Sequence, residues 1–316
     1  MKYLVTGGAG FIGSHIVEEL LKRGKSVRVL DNFATGRREN LREFANDIEL
    51  VEGDIRSLST VYRAADGIDY VIHQAALPSV PRSIADPVTT NEVNITGTLN
   101  VLIAARDRGV KRVVFASSSS VYGNDPRLPK HEDMRPRPMS PYAISKLSGE
   151  VYCSVFTQLY KMETAILRYF NIFGPRQDPT SQYSAVIPKF LNLMVQDQRP
   201  TVFGDGQQSR DFTYVGNIVQ ANLNACTVES LPEECVFNCA CGDRISVQEL
   251  IAQLNQNLGK TIEPIFADPR PGDVRNSFAD VSRAVNFLQY KPAIQFKEGL
   301  QKTVQWFLEN QPRLNS

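Results

Sequence analysis

The sequence predicts an α/β protein: a doubly wound parallel sheet with a smaller α/β substrate-binding region toward the C-terminus. Three observations predict it. Short apolar runs alternate with amphipathic stretches from residue 3 to residue 168, as when helical crossovers lay strands parallel. The first such unit places glycines at 7, 10 and 13 between its strand and its helix. Beyond Tyr169 the alternation stops and arginine-bearing loops take over.

Tyr3-Leu4-Val5 opens as a short buried strand, followed by the turn Thr6-Gly7-Gly8-Ala9-Gly10-Phe11-Ile12-Gly13. An amphipathic helix runs on to Arg23, and Gly24 stops it. Ser26 to Leu30 is a second strand, ending at Asp31. Strand, glycine turn, helix and strand within about thirty residues form the Rossmann-type unit that binds dinucleotides. Gly7, Gly10 and Gly13 let the chain turn tightly, a pyrophosphate approach the backbone and the helix pack on its strand. The helix start at Phe11 and Ile12 offers free N–H groups to phosphates. Asp31 is placed to accept from both ribose hydroxyls and to repel a 2′-phosphate, and Asn32 adds no positive charge. NAD is therefore expected over NADP. Arg37 and Arg38 are the counter-signal, which a solvated loop explains equally well.

Ile48 to Val51 is the third strand, leading to Asp54 and Ile55, placed to flank an adenine. Tyr70 to Ile72 is the fourth, ending in His73-Gln74-Ala75-Ala76. The small alanines let a flat cofactor lie close, and His73 reads as a structural histidine. A long helix is expected from Asp86 to Arg108, with Asn94 inside it. Arg112 to Ala116 is the fifth strand, running into Ser117-Ser118-Ser119-Ser120-Val121-Tyr122-Gly123. Ser140 caps the next helix and Pro141 fits its first position. Tyr142 and Lys146, four apart, share a face of that helix. A tyrosine titrates near ~10, and a neighbouring cation favours its phenolate, so the pair can serve as acid–base equipment. A serine upstream can hold a substrate hydroxyl and pass its proton to Tyr142. Thr164 to Arg168 is the sixth strand. The glycine turn, Asp31, Asp54, Ala75 and the serine run all fall at carboxyl ends of strands, where such sheets bind ligands.

In the second region, Asn171-Ile172-Phe173-Gly174-Pro175-Arg176 breaks the pattern. Val186 to Met194 reads as a helix with Pro188 near its start. Val202 to Gly206 is a strand and turn, followed by Arg210. Arg270, Arg275 and Ser277 come later. Two separated arginine loops suit a second pyrophosphate, which a guanidinium grips in bidentate fashion; surface arginines in turns are the plain alternative. The last helix, Lys297 to Glu309, carries Trp306 as packing. The expected division is 1–170, with 211–241 returning to it, for the coenzyme, and 171–210 with 242–316 for the substrate.

Composition bounds the partners. The chain has 316 residues, 42% hydrophobic and 22% charged, with net charge +1. That gives no electrostatic case for nucleic acid. No apolar run reaches membrane-spanning length, and Met1 leads straight into a strand without signal-peptide architecture. Five cysteines, at 153, 226, 235, 239 and 241, suit a reducing cytoplasm. Cys235, Cys239 and Cys241 lack paired ligand spacing and read as structural thiols, so no metal is expected.

Taken together, the glycine turn, the serine run before Val121-Tyr122-Gly123 and the Tyr142/Lys146 pair resemble the extended short-chain dehydrogenase/reductases, in particular the NAD-dependent nucleotide-sugar epimerases. Dehydratases of that family usually carry Thr-Asp-Glu where this chain has Ser118-Ser119-Ser120, so dehydration is disfavoured. Ser79-Val80-Pro81-Arg82-Ser83-Ile84, Leu128-Pro129-Lys130, Arg176-Gln177-Asp178-Pro179 with Ala185-Val186-Ile187-Pro188-Lys189, and Gly272-Asp273-Val274-Arg275 extend the resemblance toward bacterial UDP-N-acetylglucosamine 4-epimerases. The resemblance implies Ser118, Tyr142 and Lys146 as catalytic residues. Gln74, Asn94 and Tyr169 would join the coenzyme contacts. Ser79, Arg82, Ser119, Asn171, Ala185, Val186, Lys189, Phe190, Phe203, Arg210, Arg270, Asp273 and Ser277 would bind the UDP-sugar. Small Ser277 implies room for an N-acetyl group, whereas Pro78 departs from the glycine common in N-acetyl-preferring relatives. A homodimer through the helix after Asp86 and the helix begun at Pro141 is also implied. Rival readings are an epimerase for UDP-glucose only, one for UDP-glucuronate with Arg82 as the extra cation, a UDP-glucuronate decarboxylase, and an NAD-binding regulator or scaffold.

Overall fold

The structure is a computed structural model that describes residues 1–179, 185–269 and 275–314. Arg270 and Asp273 lie outside the described residues.

The chain begins β1 (Lys2–Thr6), α1 (Phe11–Lys22), β2 (Ser26–Asp31), β3 (Ile48–Glu52), α2 (Leu58–Ala64) and β4 (Tyr70–His73). Then come α3 (Val80–Ala85), α4 (Pro87–Asn91), a π-helical turn (Glu92–Thr96) and α5 (Gly97–Asp107). The long helix expected from Asp86 is therefore this composite: Asp86 caps it, accepting from Thr89 N, and Asn94 sits in the π turn. Next are β5 (Arg112–Ser118), α6 (Pro141–Tyr160) and β6 (Glu163–Tyr169).

Beyond β6 the elements shorten. They are β7 (Ile172–Phe173), α7 (Val186–Val195), β8 (Thr201–Phe203), β9 (Ser209–Arg210), β10 (Thr213–Tyr214) and α8 (Val215–Thr227). The chain ends with β11 (Val236–Cys239), β12 (Ile245–Ser246), α9 (Val247–Leu258), β13 (Ile265–Ala267), α10 (Ser282–Leu288) and α11 (Phe296–Leu314).

Seven strands form one parallel sheet in the order β11-β6-β5-β4-β1-β2-β3. Chain direction across the sheet reverses between β1 and β4, which opens a crevice at their carboxyl ends. Central strands are apolar almost throughout, as burial on both faces requires. One core packs α1 and α8 on one face, and a second packs α2, α5 and α6 on the other. Ala284, Leu288 and Tyr290, expected with the substrate unit, belong to the first of these cores.

The remaining elements make three two-stranded ladders, β10 with β7, β12 with β9 and β13 with β8. They share a third core with α7, α9 and α11, including Phe190, Leu191, Phe212 and Leu300. Cys239 is buried in the first core, and Cys235 and Cys241 are half-buried thiols. Among the described residues no cluster of histidine, cysteine or acid side chains could hold a metal.

Candidate active site

The crevice is built first from backbone. Gly10 caps α1 without any side-chain hydrogen bond, so the first-turn N–H groups of Phe11, Ile12 and Gly13 stay open to an anion. A Cβ on Gly13 would fall 2.1 Å from the Gly7 carbonyl oxygen, and one on Gly7 would fall 2.7 Å from Ala75 N. The turn and the Ala75-Ala76 segment thus form a close-walled cradle that a side chain would fill. Asp31 is buried; Oδ2 accepts from Ala9 N at 2.9 Å and Oδ1 from Phe33 N at 2.8 Å. Each oxygen keeps a lone pair for a ribose hydroxyl. Burial raises the Asp31 pKa, and these backbone bonds oppose it. Asn32 Nδ2 donates to Asp54 at 2.9 Å, joining the ends of β2 and β3. Arg37 pairs with Asp178 at 2.9 Å and Arg38 with Glu52 at 2.6 Å. Both arginines are engaged with acids, and the residues present fit NAD.

Other residues expected at the coenzyme have side chains engaged within the protein. Ile55 is buried against Gly97 in the second core. Asn94 accepts from Leu77 N at 2.7 Å and donates to Leu77 O and to Ser145 Oγ. It clamps the segment after β4 to α6. Gln74 donates to the Tyr169 hydroxyl and to Asn222 Oδ1, closing a buried triad. These positions follow strand ends in sequence, but packing decides where the side chains point.

His73 is a structural histidine. Thr98 Oγ1 donates to Asn94 O, so His73 Nε2 must donate to Thr98 at 3.0 Å. Nδ1 then accepts from Thr6 Oγ1 at 2.6 Å, while Thr6 Oγ1 accepts from Ala75 N. Burial lowers the His73 pKa to about 3, which keeps the ring neutral.

The reactive face lies beside this cradle. Ser140 caps α6 by accepting from Ala143 N at 3.1 Å, which aims the first turn at the end of β5. The Ser118 side chain lies against Tyr142; burial raises the Tyr142 pKa, and Ser118 works toward the phenolate. Lys146 Nζ lies 6.0 Å from the Tyr142 ring and donates to Ala116 O at 2.8 Å. The influence that opposes burial at Tyr142 in this structure is the Ser118 side chain. Burial lowers Lys146 itself to about 8, because an ammonium loses its hydration there. Ala116 O is its hydrogen-bond partner among the described residues, which leaves two N–H donors for a ribose.

On the other wall, Ser79 caps α3, accepting from Arg82 N, with a positive φ of 98° that L residues rarely adopt. Ser119 is half-buried beside Ser118. Asn171 donates to Asp211 O at 3.1 Å. Arg210 donates to Ser209 O and Arg275 O, and Ser277 N donates to Ser209 O. The structure thus brings Arg210, Arg275 and Ser277 onto one strip. Phe203 is half-buried at the end of β8. At the start of α7, Ala185 and Lys189 are exposed and Val186 is half-buried, whereas the Phe190 ring is used in the third core. Asp211 accepts from Cys241 N, Gly242 N and Ala279 N, and burial raises its pKa to about 6. The sequence reading missed Asp211; a lone acid after Arg210 carries no signal of three backbone partners from distant loops. It also missed Glu150, four residues beyond Lys146.

A dinucleotide cradle beside a Ser-Tyr-Lys face defines an enzyme that moves a proton and a hydride at one carbon. The chain belongs to the NAD dependent epimerase/dehydratase family, whose model matches residues 3–240. NAD is its cofactor and isomerisation its class of reaction. It is 37% identical over 315 residues to UDP-glucose 4-epimerase of Mycolicibacterium smegmatis, covering 97% of this chain and 98% of that one. UDP-N-acetylglucosamine 4-epimerase from Methanobrevibacter ruminantium, solved with UDP-N-acetylmuramic acid, superposes with a TM-score of 0.93 at 39% identity, with 98% of each chain covered. A mutant UDP-glucuronic acid 4-epimerase from Bacillus cereus, solved with a fluorinated UDP-glucuronic acid and NAD, gives 0.90 at 32% identity, with 98% and 99% covered.

Proposed function

We propose that the protein interconverts the C4 epimers of a UDP-hexose, with UDP-GlcNAc and UDP-GalNAc as the preferred pair and UDP-Glc and UDP-Gal as further substrates. The observation that carries this reading is the convergence of Ser118, Tyr142 and Lys146 at the mouth of the NAD cradle, with no acid in the serine run. Bound NAD supplies the acceptor and then the donor of the C4 hydride. Tyr142 takes the proton of the C4 hydroxyl, directly or through Ser118, and returns it after the sugar has turned. Lys146 holds the nicotinamide ribose with its two remaining donors. Arg210, with Arg270 and the strip to Ser277, grips the UDP, so the hexose alone reorients. Acids that would expel water are missing from positions 118–120, which favours epimerisation over dehydration. Small Ser277 favours the N-acetyl sugars.

Half-buried Arg82 at α3 supports a second reading, a uronate substrate. Incubation with UDP-GlcNAc, UDP-Glc and UDP-glucuronate, without added NAD, separates the two by resolving C4 epimers. Conversion of the first fastest is expected. Conversion of UDP-glucuronate alone would replace it, and no conversion at all would end the epimerase reading.

The same proposal includes a homodimer. Ile144, Val151, Val155 and Leu159 form an exposed apolar row along α6, and Ile84 and Val88 are exposed on α3 and α4. Leu159→Glu should shift light scattering to the monomer; a monomeric wild type would remove this part. No described helix is long and apolar enough to cross a membrane, and with the free cysteines this supports a cytoplasmic site of action. Fractionation of the cells checks it.

A further inference from the structure

Beneath the reactive face of α6 lies a buried ion pair to which the epimerisation chemistry assigns no part. Glu150 and Arg168 are 4% and 3% exposed. Arg168 donates from Nε to Oε1 at 2.9 Å and from Nη2 to Oε2 at 2.7 Å, a bidentate fork. Ser117 Oγ donates to the same Oε1. The guanidinium also lies 4.8 Å from the centre of the Tyr122 ring.

The placement of this pair is specific. Glu150 follows Lys146 by one helical turn, so both reach toward β5. There Lys146 holds Ala116 O and Glu150 holds Ser117, the residue before Ser118. Between them Gly149 lies directly on Phe115; a Cβ there would fall 2.3 Å from the ring. α6 is thus bolted to three consecutive residues of β5 immediately ahead of the Ser118 hydroxyl.

We propose that Glu150 and Arg168 are a positioning pair, which keeps the Lys146 ammonium charged and holds Ser118 in register with Tyr142. This deepens the epimerase reading and rests on it. The groups facing Lys146 are Tyr142, Glu150 and Cys153 from α6 and His73 from β4. Burial keeps His73 neutral and pushes the Cys153 thiol far up, and the first influence that supports the Lys146 ammonium against burial is Glu150. Its field opposes the desolvation that weakens the ammonium. Arg168 aims the carboxylate, and Tyr122 and the Glu132 carbonyl stand against the guanidinium. Stability alone is a weak reason for the pair, because buried ion pairs are often replaceable by apolar residues without loss.

The test is Glu150→Gln in the full-length, NAD-loaded protein. Rates are measured across pH, and Lys146 Nζ is followed by nitrogen-15 NMR, assigned with Lys146→Met. We expect kcat to fall at least about tenfold while KM stays within about threefold. The alkaline limb of kcat and the Nζ titration should both move to lower pH, and Glu150→Asp should restore the titration. A folded Glu150→Gln protein with the wild-type pH profile and Nζ titration overturns the proposal and leaves a structural bolt. If that variant does not fold, the double variant Glu150→Gln/Arg168→Gln, which strands no buried charge, takes the same measurements with the same two outcomes. Wild-type protein that converts no UDP-sugar would instead defeat the epimerase reading, and the Nζ titration would still decide the role of the pair.

Discussion

On the coenzyme side of the crevice, one stretch from Lys2 to Asp31 supplies the glycine turn, the open helix N-terminus and the acid read as the ribose's partner, held between two neighbouring strands of a seven-stranded sheet. On the side read as the substrate's, Asn171, Arg210 and Ser277 come from three separate segments, braced by ladders only two or three residues deep. The first half is held by backbone geometry, where a single added carbon has nowhere to go. The second is held by side chains reaching across to other loops, such as Asp211 to residues 241, 242 and 279. Rigid backbone suits a coenzyme that stays in one pose. Side-chain contacts suit a substrate whose hexose must turn while its diphosphate stays fixed.

That contrast can be broken by substitution. Tyr142→Phe, at the meeting point, should have the largest effect: turnover falling by about a thousandfold or more, with NAD still bound by absorbance of the purified protein. A rate near wild type would remove Tyr142 from the chemistry. Gly13→Ala should come next. Its Cβ would fall 2.1 Å from Gly7 O, so the turn must open. A cost of about 1–3 kcal/mol and loss of co-purifying NAD are expected, read by calorimetry and absorbance. Full NAD content in a stable variant would show that the cradle yields. Arg210→Ala should leave NAD content unchanged and raise KM for the UDP-sugar about tenfold or more. Reduced NAD content would mean that the two halves are not separable in this way.

The smallest expected effect is a pH dependence that sharpens the same comparison. His73 belongs to the coenzyme side, and its folded pKa is lowered to about 3. Below its unfolded value the unfolded chain binds a proton that the folded chain refuses. Its contribution is therefore present above about 6.5 and lost as pH falls toward about 3. Asp211 on the substrate side is raised to about 6, so its contribution is full below about 3.9 and lost as pH rises through about 6. The two groups oppose one another in mild acid. His73→Gln should flatten the fall of Tm between pH 6.5 and pH 4 seen by calorimetry; an unchanged slope would show that His73 does not carry it.

Legibility in the sequence followed the same division. Six strands of the sheet and its long helices were readable because apolar period and glycine spacing are local. Gly7, Gly10 and Gly13 were readable because sterics dictate their residue type, and Asp31 because an acid ends the second strand. Tyr142 and Lys146 were readable as a pair because helical pitch alone puts them on one face. Asn94, Gln74 and Tyr169 were less so: each lies near a strand end or crevice helix, yet its polar atoms are used in packing the fold.

The sequence by itself determined the class of fold and the coenzyme, because each rests on local patterns of strand, glycine turn and helix. Tertiary structure alone decided that the Ser118 side chain lies against Tyr142. It also decided that Asp211 fastens loops from residues 241 and 279, and that Glu150 and Arg168 meet under Lys146. Those contacts join residues 18 to 68 apart, and no period or propensity encodes which partners a folded chain brings together across such distances.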